Sequence, residues 1–332
     1  MKKSLSEKTK GKTTEKLSRL DINEELREKI LPFCRLKRGE IWSDPNGKHK
    51  VGVLDAVNPD DVKKLFGNNK AKLVINDPPY NVVVGKINTK NLSHVDINEY
   101  IQFSRSWVSN TISILDDNAS LYIWLGADQN DGFQPLPEFM IMMRGFCECI
   151  PSGKELKARS FITMRNQRGY GTQKNWMSVR QELLYYTKGE PVFNVVYTDI
   201  PKILGGYYKE VNGKITDNFE RSKSGFIRPG NVWVDIQQVF YRMEENVPGA
   251  YAQKPLKSIM RIIEASSKKN NLVADFFSHS GVTLLASEML GRKCYAMEID
   301  PVFAELSIRR LEHFRKTGKT GWQWNNPFPE IE

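Results

Sequence analysis

The stretch Lys72-Leu-Val-Ile-Asn76-Asp77-Pro78-Pro79-Tyr80 decides how the rest of the 332-residue chain is interpreted. Residues 72–76 form a short apolar run, which predicts a buried strand, and the two prolines after Asp77 end that strand abruptly. In open α/β sheets, ligands bind outside the carboxyl ends of the strands. We therefore expect Asp77 to lie at a ligand-binding edge of a sheet.

The residues after this strand suit the chemistry of an amino group. Because prolines carry no N–H donor, nearby peptide carbonyls stay free to accept hydrogen bonds beside the Asp77 carboxylate. Two acceptors can orient and polarise an aromatic exocyclic amine that attacks a methyl sulfonium, and Tyr80 offers a face for an unstacked base. The alternative interpretation is an ordinary turn after a strand, where Asp and Pro are common.

Further along the chain, short apolar runs alternate with segments of helical periodicity. Strands are predicted over residues 51–55, 72–76, 121–125, 160–164, 182–186, 272–276 and 294–298. Helices are predicted over residues 23–31, 59–66, 97–115, 139–144, 255–266, 282–290 and 301–315. The alternation predicts a Rossmann-like α/β fold, in which helices flank a mostly parallel sheet. Residues 192–229 show no regular pattern and are expected to be irregular.

A second motif, Asp275-Phe-Phe-Ser-His-Ser-Gly281, lies between a predicted strand and a predicted helix. A turn of small residues that opens onto a helix lets a nucleoside-type ligand approach the backbone. Glu298 ends the next strand, about 20 residues on, which is where an acid meets ribose hydroxyls in Rossmann-like units. The alternative is a polar turn followed by an exposed acid at a strand end.

In combination, these motifs resemble the amino-methyltransferases of DNA in their permuted β arrangement. In that group the D-P-P-Y motif comes first, a target-recognition segment follows, and the cofactor motifs close the chain. The resemblance spans roughly residues 50 to 315. It also covers the segments 180–189, 231–235, 252–255 and 297–300.

The resemblance implies S-adenosylmethionine as the cofactor and assigns roles to individual residues. The catalytic motif would be Asp77, Pro78, Pro79 and Tyr80, with Asp77 and the Pro78 carbonyl holding the target amine and Tyr80 stacking on the base. The cofactor-binding residues would be Asp55, Lys254, Pro255, Asp275, Phe277, Ser280, Gly281 and Glu298. The family usually has D-P-F-x-G-S-G at the cofactor loop, whereas Phe276 replaces the proline here and His279 replaces the first glycine.

The charge of the chain is concentrated in its middle. The formal net charge is +10, and residues 154–228 hold 14 Lys or Arg against 7 Asp or Glu. Such a segment favours a polyanionic partner, here double-stranded DNA, although a solvated basic surface is the alternative. The candidate DNA contacts are Arg165, Arg168, Lys174, Lys202, Lys209, Arg221, Lys223 and Arg228.

Adenine N6 is the expected acceptor, because cytosine-N4 members of the group more often carry Ser at the first position of the motif. The sequence does not favour methylation at C5 of cytosine. That reaction uses a nucleophilic Cys that usually follows Pro, and the chain has no Pro-Cys dipeptide. Three alternatives stay open. They are N4-cytosine methylation, methylation of RNA or protein, and a DNA-binding relative that has lost catalysis.

The expected domain organisation follows the order of the motifs. Residues 1–40 form a basic arm and short helix, 41–190 the catalytic half, 191–230 the target-recognition region, 231–318 the cofactor-binding half, and 319–332 a tail. No apolar run has the length of a membrane span and no secretory signal is visible, so we expect a cytoplasmic protein that does not associate with membranes. No metal site is expected, and the resemblance allows a homodimer.

Overall fold

A nine-stranded sheet organises the structure, a computed structural model that describes residues 17–79, 97–126, 135–148, 155–170, 176–203, 206–219 and 224–331. The strands are β1 (Ile41–Ser43), β2 (His49–Val53), β3 (Ala71–Asn76), β4 (Leu115–Gly126), β5 (Leu156–Tyr170), β6 (Ser178–Lys188), β7 (Gly206–Val211), β8 (Lys214–Phe219), β9 (Val232–Trp233), β10 (Leu272–Asp275) and β11 (Lys293–Glu298). The α-helices are α1 (Glu24–Ile30), α2 (Pro59–Phe66), α3 (Ile97–Ile114), α4 (Pro135–Glu148), α5 (Leu256–Ser266), α6 (Val282–Met289) and α7 (Pro301–Thr317), with 3₁₀ turns at Leu31–Phe33 and Pro329–Ile331.

The strand order is β1-β2-β11-β10-β3-β4-β6-β5-β9. The run from β2 to β4 in this order is parallel, whereas β1 and β6 pair antiparallel with their neighbours and β9 pairs parallel with β5. The chain runs outward from β3 to β4 on one side and from β10 to β11 on the other. The carboxyl ends of β3 and β10 therefore form a topological switch point, where open α/β sheets bind ligands.

Helices cover both faces of the sheet, as the alternation of predicted strands and helices indicated. One face packs against α2, α3 and α4 through large side chains such as Trp107 and Phe139. The other face packs against α5, α6 and α7, with Ile259 and Ile263 of α5 among the buried residues. The predicted fold class, a Rossmann-like α/β domain with a mostly parallel sheet, is confirmed. Within the described ranges, no helix is both long enough and apolar enough to cross a bilayer.

Side-chain caps fix where several of these helices begin. Asn58 accepts a hydrogen bond from the backbone of Asp60 at the start of α2, where Pro59 takes the first helical position. Asp300 accepts one from Val302 at the start of α7, and Pro301 follows it. Each cap satisfies an N–H that the helix leaves unpaired, so these boundaries coincide with the predicted ones.

The two ends of the described chain pack against α7. Leu20 is fully buried beside Gly249, and its backbone N–H donates to the carbonyl of that glycine at 2.9 Å. Phe328, near the other end, belongs to the same apolar cluster. This apolar contact anchors the chain at Leu20. Residues 1–16 lie outside the described part.

Each predicted strand and helix is present, but several are longer than expected. Strand β4 covers 12 residues where five were predicted, and β5 covers 15. Helix α4 continues through Gly145, which we expected to end it. Residues 206–219 form a hairpin, so the expectation of irregular structure was wrong there. The Asn212-Gly213 turn, with φ of 55° and 73°, is the signal that predicts such a hairpin.

Candidate active site

Two loops meet at the switch point and form a crevice. Asp77 follows β3, and residues 275–281 connect β10 to α6. The residues that line the crevice are Ile75, Asp77, Trp124, Lys254, Ile259, Asp275, Phe277, Ser278, His279, Ser280, Val282 and Thr283. The motif that suits an amino group and the motif that suits a nucleoside thus face each other, although about 200 residues of sequence separate them.

Asn76, the last residue of β3, holds these two loops together. Its side chain is fully buried, and its carbonyl oxygen accepts a hydrogen bond from the backbone N–H of Phe276 at 3.1 Å. Its amide nitrogen donates to the Thr111 hydroxyl on α3 at 3.0 Å. Because both ends of the amide are paired in the interior, Asn76 fixes the distance between the loop after β3 and the loop after β10.

Lys254 joins the crevice from the segment before α5. Its ammonium group donates to both carboxylate oxygens of Asp77, at 2.8 and 2.7 Å. The ammonium also lies 5.3 Å from the centre of the Trp124 ring, within the range of a cation–π interaction. The Lys254 side chain is 5% exposed and that of Asp77 is 29% exposed, so the ion pair is largely removed from water.

The loop after β10 contains two residues in the left-handed region, His279 with φ of 45° and Gly281 with φ of 72°. A Cβ atom at position 281 would lie 2.8 Å from the Cα and Cβ of Ser307, so the close approach to α7 requires glycine. The Ser307 hydroxyl donates to the His279 carbonyl at 2.9 Å. The imidazole of His279 packs on Phe303, with ring centres 4.5 Å apart, and burial lowers its pKa to about 4.

Two carboxylates stand at the ends of neighbouring strands. Glu298, at the end of β11, accepts hydrogen bonds from the backbone of His279 at 2.8 Å and of Asp300 at 3.1 Å. Burial, together with the nearby Asp300 charge, raises the pKa of Glu298 to about 7. Asp275, at the end of β10, accepts from the backbone of Phe277 at 2.9 Å, and burial raises its pKa to about 7 as well.

Comparison with known proteins assigns this arrangement to a family. The model of the N6/N4 methylase family, described as DNA methylase, matches residues 71–309, which is most of the chain. The chain belongs to this DNA methylase family. Its members transfer a methyl group to N6 of adenine or N4 of cytosine, and the methyl donor of this chain is S-adenosylmethionine.

Individual relatives and structures agree with the family. The type II methyltransferase M1.MboII of Moraxella bovis is 29% identical over 279 residues, which cover 79% of this chain and 98% of the relative. The M1.HpyAVI–SAM complex matches with a TM-score of 0.50 and 17% identity, over 79% of this chain and all of that chain. The PvuII DNA methyltransferase, titled cytosine-N4-specific, matches with a TM-score of 0.53 and 15% identity. The match covers 79% of this chain and 85% of that chain. These structural likenesses concern the fold.

The crevice of the methylase suits the donor that the family uses. Gly281 lets the loop backbone pack closely against α7, because a Cβ at this position would lie 2.8 Å from Ser307. The partly buried carboxylate of Glu298 can accept hydrogen bonds from ribose hydroxyls. Phe277 contributes an aromatic wall, and its ring packs edge-on against that of Trp107 with ring centres 5.4 Å apart. The residues present therefore fit a nucleoside that carries hydroxyl groups.

The structure brings most of the predicted site residues of the methylase into one place. Five of them line the crevice: Asp77, Lys254, Asp275, Phe277 and Ser280. Pro255 and Gly281 are the sequence neighbours of lining residues, and Glu298 accepts a hydrogen bond from the backbone of the lining residue His279. Pro78 and Pro79 follow Asp77, and Tyr80 lies outside the described residues. Asp55 does not line the crevice. It follows β2, next to β11, and bonds to Arg38 at 3.1 Å.

Those predicted DNA contacts of the methylase that the structure describes lie outside the crevice. Arg165 is exposed on β5, opposite Arg180 of β6, just beyond the point where Gly126 ends β4 opposite Gln181. This part of the β5–β6 hairpin therefore extends past the edge at which Asp77 lies. The others are distributed as follows: Arg168 lies on β5, Lys209 on β7, Lys202 and Arg228 on the connecting segments, and Lys174, Arg221 and Lys223 outside the described residues.

Some residues of the site were not predicted from the sequence. Asn76, Trp124, Ser307 and Arg180 contribute through contacts across the fold. Asn76 carried a signal, because a polar residue that ends an apolar strand and precedes a motif is a candidate for a buried bridge. The other three resembled ordinary core or surface residues, and their positions follow from strand pairing and helix packing that one sequence does not display.

Proposed function

We propose that the chain transfers the methyl group of S-adenosylmethionine to N6 of adenine in a specific double-stranded DNA sequence, after the base has been flipped out of the helix. The observation that carries the proposal is the position of Asp77 opposite the loop 275–281 in one crevice. An aspartate rather than a serine at position 77 favours adenine over cytosine, following the resemblance of the motif. Family membership supports methylation of an exocyclic amine but does not distinguish the two bases.

In the proposed mechanism the residues of the chain orient the target amine. The Asp77 carboxylate and the Pro78 carbonyl would each accept a hydrogen bond from the amine, which directs the nitrogen lone pair at the methyl group. The bound cofactor supplies this methyl group on a positively charged sulfur. As the nitrogen bonds to the methyl carbon, the bond between that carbon and the sulfur would break, and its electron pair would stay on the sulfur. The nitrogen would gain positive charge, which the adjacent carboxylate stabilises until one N–H proton passes to water. Tyr80 would stack on the flipped base.

The proposed DNA-binding surface combines two parts of the chain. The β5–β6 hairpin extends past the edge of the sheet that carries Asp77. In this part of the hairpin, Arg165 and Arg180 lie directly opposite each other. Residues 191–230, which include the β7–β8 hairpin, are proposed as the target-recognition region, because they add basic residues outside the sheet that holds the crevice. Phosphate contacts would position the duplex, while base contacts would select the site.

The test is to incubate the purified protein with S-adenosylmethionine and unmethylated DNA of mixed sequence, digest the DNA to nucleosides and analyse them by mass spectrometry. N6-methyladenine is the expected product. Asp77→Ala should abolish it, because the amine loses an acceptor. Asp60→Ala is a matched control, since Asp60 is an exposed acid at the start of α2 and should leave the product unchanged.

Other outcomes would revise the proposal in defined ways. N4-methylcytosine would keep the mechanism and change the base. DNA binding without any methylated nucleoside, on DNA that contains all short sequences, would indicate a relative that has lost catalysis. Methylated nucleosides from RNA but not from DNA would change the substrate class. Light scattering of the same sample, with and without DNA, tests the homodimer that the resemblance allows.

A further inference from the structure

Lys254 makes a contact that its expected role in the cofactor wall does not explain. Its ammonium group bonds to both oxygens of the Asp77 carboxylate, at 2.8 and 2.7 Å, across 177 positions of sequence. Asp77 comes from the loop after β3, whereas Lys254 comes from the segment before α5. The contact therefore links the half of the chain that carries the amine-binding motif to the half that carries the cofactor loop.

The surroundings of Lys254 hold its ammonium group in place. The side chain is 5% exposed, and the ammonium lies 5.3 Å from the centre of the Trp124 ring. Trp124 itself is fully buried in β4, the strand next to β3. A cation that is largely removed from water is stable only while it is paired, so the interior favours one arrangement of this ion pair.

We propose that Lys254 is a positioning residue for methyl transfer, which fixes the plane of the Asp77 carboxylate so that the target amine meets it in one orientation. The inference rests on the proposed function of Asp77. An ionised carboxylate has about four acceptor sites on its two oxygens. Lys254 takes one site on each oxygen, and we expect the amine to join the pair at a further acceptor site without displacing Lys254.

The charges decide how Lys254 contributes. The amine nitrogen gains positive charge during transfer, and an ammonium group alone would oppose it. Lys254 and Asp77 form a neutral pair, so the benefit of Lys254 comes from the orientation of the carboxylate and from stabilising Asp77 when the entering base excludes water. The effect should therefore appear in the transfer step and not in the affinity for cofactor or DNA.

Lys254→Met removes the charge and keeps the length of the side chain. We expect the single-turnover rate of methylation at saturating cofactor and DNA to fall at least thirtyfold. The dissociation constants of S-adenosylhomocysteine, from calorimetry, and of DNA should stay within threefold of wild type. Lys257→Met is a matched control, because Lys257 lies on α5 and pairs with the exposed Asp199. Its rate should be unchanged.

A double-mutant cycle tests whether Lys254 acts through Asp77. The Asp77→Asn variant and the double variant Asp77→Asn, Lys254→Met should methylate DNA at rates within threefold of each other. The losses in melting temperature of the two single variants should not add in the double variant. If Lys254→Met does not fold, Lys254→Arg keeps the charge and changes the geometry, and its rate should fall at least tenfold with unchanged S-adenosylhomocysteine affinity.

Three results would overturn the inference. They are an unchanged transfer rate in both Lys254 variants, a loss of S-adenosylhomocysteine affinity of tenfold or more, and additive effects on melting temperature in the cycle. A wild-type protein that methylates nothing would instead contradict the proposed function, so the two failures are distinguishable.

Discussion

We predict that Glu298 makes cofactor binding depend on pH. Burial raises the pKa of Glu298 to about 7, so near neutrality the carboxyl group is only partly ionised. Hydroxyl groups of a ribose donate to the ionised form and therefore favour it, so binding should release a proton. Affinity should strengthen as the pH rises through 7 and level off above it, because the carboxylate is then already ionised.

Calorimetry with S-adenosylhomocysteine at pH 6, 7 and 8 checks this prediction. We expect up to about tenfold weaker binding for each pH unit below 7, with proton release visible in buffers of different ionisation enthalpy. Glu298→Gln should bind more weakly and lose this pH dependence. Asp275, whose pKa burial also raises to about 7, provides the comparison. If Asp275→Asn removes the pH dependence and Glu298→Gln keeps it, the assignment to Glu298 is wrong.

Gly281 should not tolerate a side chain. Gly281→Ala places a Cβ 2.8 Å from the Cα and Cβ of Ser307 on a residue with φ of 72°. Left-handed backbone and overpacking together should cost about 2–5 kcal/mol in unfolding free energy, measured by urea denaturation. Gly145→Ala, where the added Cβ meets no atom within 4 Å, should be neutral or stabilising. A Gly281→Ala protein as stable as wild type would contradict the observed loop conformation.

At the level of residues, sequence motifs found the side chains that line the crevice but not the contacts between them. Asp77 and Lys254 were both predicted as site residues, in different roles, and their ion pair was not foreseen. Hydrophobic periodicity reports which face of an element is buried, and it carries no information on which of two distant charged residues will meet. At position 279, the left-handed backbone explains why the family usually has glycine there.

At the level of elements, the β5–β6 hairpin places like charges opposite each other. Arg165 and Arg180 are register partners, and a cross-strand pair of this kind is unfavourable unless an anion lies nearby. Glu182, 3.5 Å from Arg180, balances part of this charge. We expect a DNA phosphate beyond the edge of the sheet to contact this pair.

Replacing Arg165 and Arg180 together by Ala should weaken DNA binding. Two lost phosphate contacts should lower the slope of log affinity against log salt concentration by about 2, measured by fluorescence anisotropy. Arg159→Ala is the matched control, because Arg159 is an exposed arginine toward the opposite end of β5. An equal effect of the control variant would indicate general attraction to a basic surface and no contact at the hairpin.

The predicted boundaries of helices and strands agree best with the structure where one face of the element is buried and its apolar run is bounded by capping or helix-breaking residues. Helices α2 and α7 begin at predicted residues because Asn58 and Asp300 cap them. Strands β4, β5 and β6 extend beyond their apolar centres through polar residues that pair with neighbouring strands. Their full length depends on partners far away in the sequence, so the local pattern shows only the buried middle of each strand.

At the level of the whole molecule, Arg310 ties three distant segments together. This buried arginine donates to the carbonyls of Thr320 at 2.8 Å, Ser280 at 3.1 Å and Glu245 at 3.0 Å. It thereby joins the cofactor loop, the segment before α5 and the end of the chain. Burial lowers the pKa of Arg310 to about 10, so the side chain is still charged at neutral pH.

Arg310→Met should therefore destabilise the entire fold. The carbonyls of Thr320 and Ser280 would lose this donor, and that of Glu245 would keep only the Gln253 amide. We expect a loss of about 3–5 kcal/mol in unfolding free energy, measured by urea denaturation. Arg309→Met is the comparison, because Arg309 lies beside it on α7 but pairs with the partly exposed Glu330 as well as with Glu305. A loss below about 1 kcal/mol for Arg310→Met would show that water or neighbouring groups replace its hydrogen bonds.

The packing of both ends of the described chain on α7 has a consequence for how such a protein can be rearranged. Leu20 and Phe328 belong to one apolar cluster, so a short linker between the ends of the described chain would span little distance. New ends opened between the two halves, in the basic segment outside the sheet, would place the cofactor loop ahead of the amine-binding motif. The pairing of β3 with β10 would be kept. The linear order of the two motifs is thus a property of the gene, and the crevice depends only on which strands are neighbours.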